Sequence, residues 1–117
     1  MENILFVVNG PAYGTENAYN ALRLAKAMVE RPDAHVRTFL IGDGVSCVIK
    51  EQKPPMGYYI VAKMLSAIIE KGAEVVACGT CLDARGITDG MLVTGIHRST
   101  MVELAAWTIE ASKVISF

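Results

Sequence analysis

The chain has 117 residues, which is the length of one domain, and such a domain buries about two thirds of the surface that its unfolded chain exposes. Its 11 basic and 12 acidic side chains nearly cancel and form no blocks, which excludes the basic patch of a protein that binds nucleic acid or an anionic membrane directly. The chain enters a short apolar run without a basic leader or a stretch of membrane-spanning length, which predicts a cytoplasmic protein.

The cysteine content and the apolar composition each lead to one expectation. Three cysteines in a chain without an export signal are expected to be reduced thiols rather than a disulfide framework. Hydrophobic residues make up 52% of the chain and charged residues only 20%, which is apolar for so small a domain. We therefore expect a homo-oligomer, in which part of this apolar surface is covered.

The first third of the chain predicts two strands that flank one helix. Residues 3–8 form a short apolar run that stops at a turn signal in residues 9–11. Thr15 is the expected N-cap of a helix whose apolar residues recur at helical spacing up to position 29. Residues 35–41 then give the second strand.

The middle of the chain predicts a loop between two helices of different length. A short helix capped by Asp43 is expected over residues 43–50, and the proline-rich residues 52–57 form a loop that could act as a lid. A clear amphipathic stripe predicts a helix over residues 60–69. Residues 74–77 are the third strand.

The last third is predicted with weaker signals. Residues 78–90 form a polar connection with room for one helical turn, and a weak strand is expected near residues 92–97. Thr100 is the expected cap of a last helix that reaches about residue 112. Residues 114–117 close the chain as a strand.

The alternation of strands and helices predicts the fold. It indicates an α/β protein, a three-layer α/β/α sandwich around a mostly parallel sheet of about five strands, in one domain over residues 1–117. In such sheets ligands bind at the carboxyl ends of the strands, where helix N-termini also point their free N–H groups. We expect that edge to hold residues 9–14, 42–43 and 78–86.

The densest group of reactive residue types lies in residues 78–86. A thiol at Cys78 would be oriented by the preceding strand, while the following N–H groups and the Arg85 guanidinium would favour its thiolate, which is the nucleophilic form. A lone cysteine is more often a small packing residue, and Cys47 in its apolar surroundings is interpreted in that way. The second cysteine close by, Cys81, favours chemistry for the pair.

Three chemistries compete for Cys78 and Cys81. A thioredoxin-like dithiol needs a long helix after the motif, and Gly86 would interrupt that helix within two turns. A structural zinc site needs four ligands, and the third cysteine and the two histidines stand at no recognisable spacing, so no metal is expected. Transfer of sulfane sulfur needs a single exposed thiolate, a role that suits Cys78, with Cys81 as an optional resolving partner.

The glycines in residues 10–14 could cradle an anion, but a tight turn is the better interpretation. The segment has neither the lysine of a P-loop nor the spacing of a dinucleotide fingerprint, so it does not support nucleotide binding, and no cofactor is expected. The candidate contact residues for a substrate or partner are Asn9, Gly10, Tyr13, Gly14, Thr80 and Gly86.

Six segments together resemble the DsrE/DsrF-like family, and within it the branch of small YchN-type proteins. They are residues 9–14 (NGPAYG), 20–27 (NALRLAKA), 39–45 (FLIGDGV), 52–54 (QKP), 78–87 (CGTCLDARGI) and 103–108 (ELAAWT). The resemblance runs from end to end of the chain, and it is carried by the shared order and spacing of the segments.

The resemblance implies an α/β/α fold around a parallel sheet and a homo-oligomer, typically a hexamer. In sulfur-relay members of the family a cysteine followed seven and eight residues later by Arg-Gly carries a persulfide, and Cys78, Arg85 and Gly86 occupy that pattern here. Such members work with sister subunits, which this chain alone does not identify. Cys81 is a feature of the YchN-type branch.

Three functions follow, in order of preference. The first is an intracellular sulfur-relay protein, sulfurtransferase-like, in which Cys78 accepts sulfane sulfur and passes it to a partner thiol, with donor and acceptor proteins as partners. The second is a non-catalytic oligomeric module that binds a small ligand or partner near residues 9–14. The third is a redox protein that cycles Cys78 and Cys81 between dithiol and disulfide. The candidate catalytic residues are Cys78, Cys81 and Arg85.

Overall fold

The computed structural model describes residues 1–117 and contains five strands, all of them parallel, with helices on both faces of the sheet. In chain order the elements are β1 (Glu2–Val8), α1 (Asn17–Val29), β2 (Ala34–Leu40), a 3₁₀ segment (Gly42–Val48), α2 (Val61–Glu70), β3 (Glu74–Cys78), α3 (Gly79–Ala84), a 3₁₀ turn (Asp89–Met91), β4 (His97–Ser99), α4 (Met101–Glu110) and β5 (Lys113–Ser116). This confirms the expected α/β/α sandwich of five strands. None of the helices combines the length and the apolar character that crossing a membrane requires.

The sheet has the strand order β4-β3-β2-β1-β5. The chain first steps from β1 to β4 in one direction, and α4 then returns it to the opposite side of β1, where β5 pairs. Since crossovers between parallel strands are right-handed, this reversal puts α4 on the face opposite to α1 and α2. The carboxyl ends of all five strands lie along one edge.

Alternation along the strands divides the core between the two faces of the sheet. Phe39 of β2 pairs with Val7 of β1, and its ring makes an edge-to-face contact with Trp107 of α4 at 6.4 Å between centroids. The neighbouring residues Phe6 and Leu40 therefore point to the face that α1 and α2 cover, where they are fully buried. Two helices close that face, whereas α4 alone covers the other.

Two of the expected helix caps are wrong in position, and one is confirmed. The first helix begins at Asn17 after the N-cap Glu16, while Thr15 accepts a 3.4 Å hydrogen bond from the Asn17 N–H. The 3₁₀ segment follows Ile41, so Asp43 lies inside it rather than at its cap. Thr100 does cap α4, because its hydroxyl accepts the N–H of Glu103 at 3.3 Å.

The weak strand expected near residues 92–97 is displaced to His97–Ser99. The Val93 N–H donates to the Val48 carbonyl at 2.8 Å, and Leu92 forms an isolated antiparallel bridge with Ile49. The apolar residues of this stretch are thus buried against the end of the 3₁₀ segment instead of in the sheet. The last helix also ends earlier than expected, at Glu110.

The 3₁₀ segment crosses the carboxyl ends of the strands at a distance that only glycine allows. A Cβ atom added at Gly44 would lie 2.0 Å from the Val8 carbonyl oxygen and 2.9 Å from its carbon. Both atoms belong to the backbone of β1, which is held in the sheet and cannot give way cheaply. This close approach seats the segment on the sheet edge.

We expect Gly44→Ala to lower the free energy of unfolding by about 2–3 kcal/mol, because the added methyl group collides with backbone. Gly90→Ala is the matched control, since a Cβ there meets no atom within 4 Å. Urea denaturation at one fixed protein concentration measures both. Equal midpoints for the two variants would contradict the close packing at Gly44.

Candidate functional site

Cys78 is the last residue of β3 and stands immediately before α3. The helix is short because Gly86 adopts a left-handed φ of 66° and the chain turns back, with the Ile87 N–H donating to the Leu82 carbonyl. The sequence prediction that Gly86 interrupts a helix after the cysteines is confirmed. The motif therefore lacks the long helix that follows a thioredoxin dithiol.

Each of the two sulfur atoms has one polar neighbour at hydrogen-bond distance. The Cys78 Sγ lies 3.3 Å from the Thr80 hydroxyl oxygen, and the Gly42 N–H donates to the Cys81 Sγ at 3.3 Å. Since β2 and β3 are paired in parallel, Gly42 leaves its strand beside the start of α3. The parallel pairing thus brings the beginning of the 3₁₀ segment onto the second thiol.

The local environment drives the pKa values of the two thiols in opposite directions. Burial is the strongest single effect on Cys78 and opposes its ionisation, but hydrogen bonds from Cys81 and Thr80, with the N–H groups of these residues, outweigh it and lower the pKa of the Cys78 thiol. Burial and the hydrogen bond to Cys78 raise the pKa of the Cys81 thiol, which the Gly42 N–H and Arg85 only partly offset. Cys78 is therefore the thiol that ionises first, while Cys81 stays protonated and donates a hydrogen bond to the Cys78 thiolate.

Cys78 is less accessible than the sequence led us to expect. The residue is only 5% exposed, whereas Cys81 is half-buried. The reason is its register: Cys78 pairs with Ser99 of β4, and α3 starts directly above it. The expected exposed thiolate is thus corrected to a nearly buried one, which only a small reactive group can approach without a local movement.

The Arg85 guanidinium does not act on Cys78 as expected. It donates to the Asp43 carboxylate at 2.8 Å and to the Cys81 carbonyl at 3.1 Å, and its charge lowers the pKa of Cys81 rather than that of Cys78. This is a correction of its role. Arg85 fastens α3 to the 3₁₀ segment and lies beside the second thiol, at the surface.

Arg98 is a positioning residue that the sequence pattern did not identify. Its guanidinium donates to the Gly79 carbonyl at 3.0 Å and to the Asp83 carboxylate at 2.6 Å, so it ties both ends of α3 to β4. The available signal was its place at the end of a strand parallel to β3. That signal was weak because the strand itself was predicted a few residues too early.

The glycine-containing loop at residues 9–14 lies on the far side of the 3₁₀ segment from the two thiols. Ser46 accepts the Ala12 N–H at 2.9 Å, and the Cys47 thiol donates to the Gly10 carbonyl at 3.7 Å. Burial raises the pKa of the Cys47 thiol to about 12, which fits its predicted packing role. These contacts join the loop to the segment near Ser46 and Cys47, whereas the second thiol contacts the segment at Gly42.

The other predicted contact residues fall into two groups. Tyr13 donates to the Tyr59 carbonyl at 3.2 Å and accepts the Val61 N–H at 3.2 Å, and the Asn9 amide donates to the Ser116 hydroxyl at 3.4 Å. The Tyr13 hydroxyl and the Asn9 amide nitrogen are thus used within the chain. Thr80, by contrast, is exposed and lies at the Cys78 sulfur.

The side chains do not form a metal site. No three His, Cys, Asp or Glu side chains converge closely enough to hold a metal ion. The three cysteines are all free thiols, with Cys47 buried apart from the pair. The chemistry that the site offers is that of one activated thiol with a second thiol beside it.

Comparison with known proteins finds similar chains over the whole length. The model of the DsrE/DsrF-like family matches residues 2–117. Escherichia coli YchN is 42% identical over 118 aligned residues, which cover 100% of both chains. A protein of the archaeon Methanopyrus kandleri is 41% identical over 97% of this chain and 93% of its own.

Solved structures agree with these sequence matches. The crystal structure of Escherichia coli YchN superimposes with a TM-score of 0.93 at 41% identity and covers 100% of both chains. A protein of unknown function from Methanobacterium thermoautotrophicum reaches a TM-score of 0.77 at 15% identity, again over 100% of both chains. The second likeness extends the fold alone to a distant sequence.

Thr80→Val should make Cys78 react more slowly with iodoacetamide at neutral pH. Loss of the hydroxyl removes a donor to the thiolate, so the pKa of Cys78 rises and less thiolate is present. A net hydrogen-bond energy of about 0.5–1 kcal/mol corresponds to a rate about two- to fivefold lower. Peptide mass spectrometry across a pH series gives the rate at each thiol.

The control is Thr94→Val, an exposed threonine that lies outside the thiol site. Its pH profile should coincide with that of the unmodified sequence. A Thr80→Val profile with an unchanged midpoint would show that the hydroxyl does not stabilise the thiolate.

Proposed function

We propose that this chain, which belongs to the DsrE/DsrF-like family, carries sulfane sulfur on Cys78 as a persulfide and delivers it to a partner thiol. The observation that carries the proposal is the geometry at Cys78, which ends β3 directly before α3 with its sulfur 3.3 Å from the Thr80 hydroxyl oxygen. A lowered pKa makes Cys78 the nucleophile, and the protonated neighbour supplies a hydrogen bond. The resemblance of residues 78–87 to the persulfide-carrying pattern supports the same assignment.

The transfer needs no oxidant or reductant. The Cys78 thiolate attacks the outer sulfur of a donor persulfide, a new S–S bond forms, and the donor's S–S bond breaks to release the donor as a thiolate. The proton of the outer sulfur stays on it, so the product is a Cys78 persulfide. An acceptor thiolate then attacks the same outer sulfur and restores the Cys78 thiolate.

The near burial of Cys78 suits the transfer of a single sulfur atom better than the transfer of a bulky group. A sulfur atom at the end of a persulfide is small enough to reach a thiol that is only 5% exposed. The exposed Thr80 hydroxyl beside the sulfur would donate to a persulfide anion as it does to the thiolate.

The placement of Cys81 within the first turn after Cys78 also favours a second function, a dithiol redox protein. Attack of Cys81 on the inner sulfur of a Cys78 persulfide would form a disulfide and release hydrosulfide, a balanced step. The raised pKa of Cys81 slows this reaction because little of its thiolate is present at neutral pH. Sulfur transfer is therefore the preferred function. In the loop at residues 9–14 the Tyr13 hydroxyl and the Asn9 amide nitrogen bond within the chain, so a ligand module there is the weakest of the three.

The sulfur-carrier proposal is tested by exposing the reduced protein to polysulfide and measuring its intact mass. We expect a gain of one sulfur atom in the unmodified sequence and in Cys81→Ser, and none in Cys78→Ser, because only Cys78 is activated. Cys47→Ser is the control, since Cys47 is buried apart from the pair and should not affect loading.

Two results would contradict the carrier function. Loading that persists in Cys78→Ser would assign the sulfur to another thiol. Rapid conversion of the loaded protein to a Cys78–Cys81 disulfide with release of hydrosulfide, absent in Cys81→Ser, would promote the dithiol function instead.

Self-association remains a proposal, and the exposed apolar face of α4 supports it. Val102 and Ile109 are 81% and 87% exposed, and Met101 at the start of the helix is also exposed. They lie on the single helix that covers its face of the sheet. Such surface is commonly covered in an oligomer.

Ile109→Glu should reduce the particle mass, because it places a charge in the proposed interface. Size-exclusion chromatography with light scattering measures the mass, and six chains per particle would agree with the hexamer that the resemblance implies. Ala27→Glu, on an exposed position of α1, is the control and should leave the mass unchanged. A monomeric unmodified protein at micromolar concentration would overturn the proposal.

A further inference from the structure

A second concave site lies between α1 and α2, on the face of the sheet opposite to α4. The cleft has a volume of about 500 Å³, which is within the range of small-molecule sites. Its lining residues are Tyr19, Leu22, Arg23, Lys26, Tyr59, Lys63, Met64 and Ala67. By strand alternation the Cys78 side chain lies on the α4 face with Phe39 and Val76, and neither Cys78 nor Cys81 lines this cleft.

The charge of the cleft is positive and uncompensated. Arg23, Lys26 and Lys63 line it, and no carboxylate does. None of the three takes part in an ion pair, although each of the other four arginines of the chain pairs with a carboxylate. Arg23 donates to the Asn20 amide oxygen at 3.2 Å, and its guanidinium carbon lies 5.4 Å from the centroid of the Tyr19 ring. Three cations without a carboxylate partner around one cleft favour an anionic ligand.

The other end of the cleft is aromatic. Tyr19 and Tyr59 stack with their ring centroids 4.0 Å apart and their planes inclined by 19°. Both rings are half-buried, and they form one wall of the cleft next to the side chains of Leu22 and Met64. A flat ring can pack against such a wall with favourable stacked or edge-to-face geometry.

The spacing and the charges give the ligand a direction. Lys26 lies two turns after Tyr19 on α1, about 10 Å along the helix, whereas the Arg23 guanidinium lies over the Tyr19 ring and stands between the aromatic end and Lys26. Glu16 lines a neighbouring hollow that also includes Tyr59, so a carboxylate lies near the tyrosine end of the cleft. A ligand with a ring at one end and phosphate groups at the other matches this polarity.

We propose that the cleft between α1 and α2 binds a nucleoside phosphate, with the base against Tyr19 and Tyr59 and the phosphates on Arg23, Lys26 and Lys63. The site is separate from the glycine-containing loop at residues 9–14 and needs no helix N-terminus. It is also independent of the sulfur chemistry, since neither cysteine of the thiol site lines the cleft.

Isothermal titration calorimetry with ADP, adenosine and inorganic pyrophosphate tests both halves of the site. We expect ADP to bind about tenfold or more tightly than either fragment, because only ADP reaches the aromatic wall and the cations together. Lys26→Gln/Lys63→Gln should weaken ADP binding by about tenfold or more, as two charge-assisted hydrogen bonds are lost. Tyr19→Leu should weaken the binding of ADP but not that of pyrophosphate.

Lys50→Gln/Lys71→Gln is the matched control, because it removes the same charge from exposed lysines outside the cleft. It should bind ADP like the unmodified sequence, and so should Cys78→Ser, which separates this result from that of the sulfur-loading test. Equal affinities for pyrophosphate and ADP, equal losses in the two lysine variants, or no heat and no rise in Tm at millimolar ADP would overturn the proposal.

Discussion

The parallel pairing of β2 with β3 is the constraint on which the thiol site depends. It delivers two chain segments, distant in sequence, to one point at the carboxyl edge of the sheet: Gly42 leaves β2 where Cys78 ends β3. The Gly42 N–H then reaches the Cys81 sulfur, and Asp43 reaches Arg85. A shift of one residue in this register would move every side chain of the strand to the other face and break these contacts.

The 3₁₀ segment contacts both the glycine-containing loop and the thiol site at that edge. Its close approach at Gly44 seats it on the end of β1, where Ser46 and Cys47 fasten the glycine-containing loop. Its beginning is fastened to α3 through Asp43. The loop and the second thiol thus contact different parts of the segment, the loop near Ser46 and the thiol at Gly42. The cationic cleft contains neither thiol, so the two proposed functions use different parts of the molecule.

The sequence was sufficient for what depends on local pattern and insufficient for what depends on distant partners. Hydrophobic periodicity gave the parallel sandwich and the helix over residues 60–69, and the strand-then-cysteine pattern placed Cys78 at the right edge. The predicted role of Arg85 was wrong because its partner Asp43 is 42 residues away in the sequence. The positioning role of Arg98 was not predicted because its partner Asp83 lies on another element. The strand expected at residues 92–97 failed because an apolar run does not reveal which surface it covers.

Hydrogen-bond donors, not a nearby cation, distinguish the two thiols. Burial raises the pKa of both, and Arg85 acts on Cys81, so charge and burial alone would not make Cys78 the more acidic thiol. The difference arises because Cys78 receives hydrogen bonds from Thr80 and from Cys81, and the bond that stabilises one thiolate keeps the other cysteine protonated. The two shifts are therefore one property of the pair. Cys81→Ser keeps a hydroxyl donor beside Cys78 and removes the resolving thiol, so sulfur loading in that variant reports on Cys78 without the redox step.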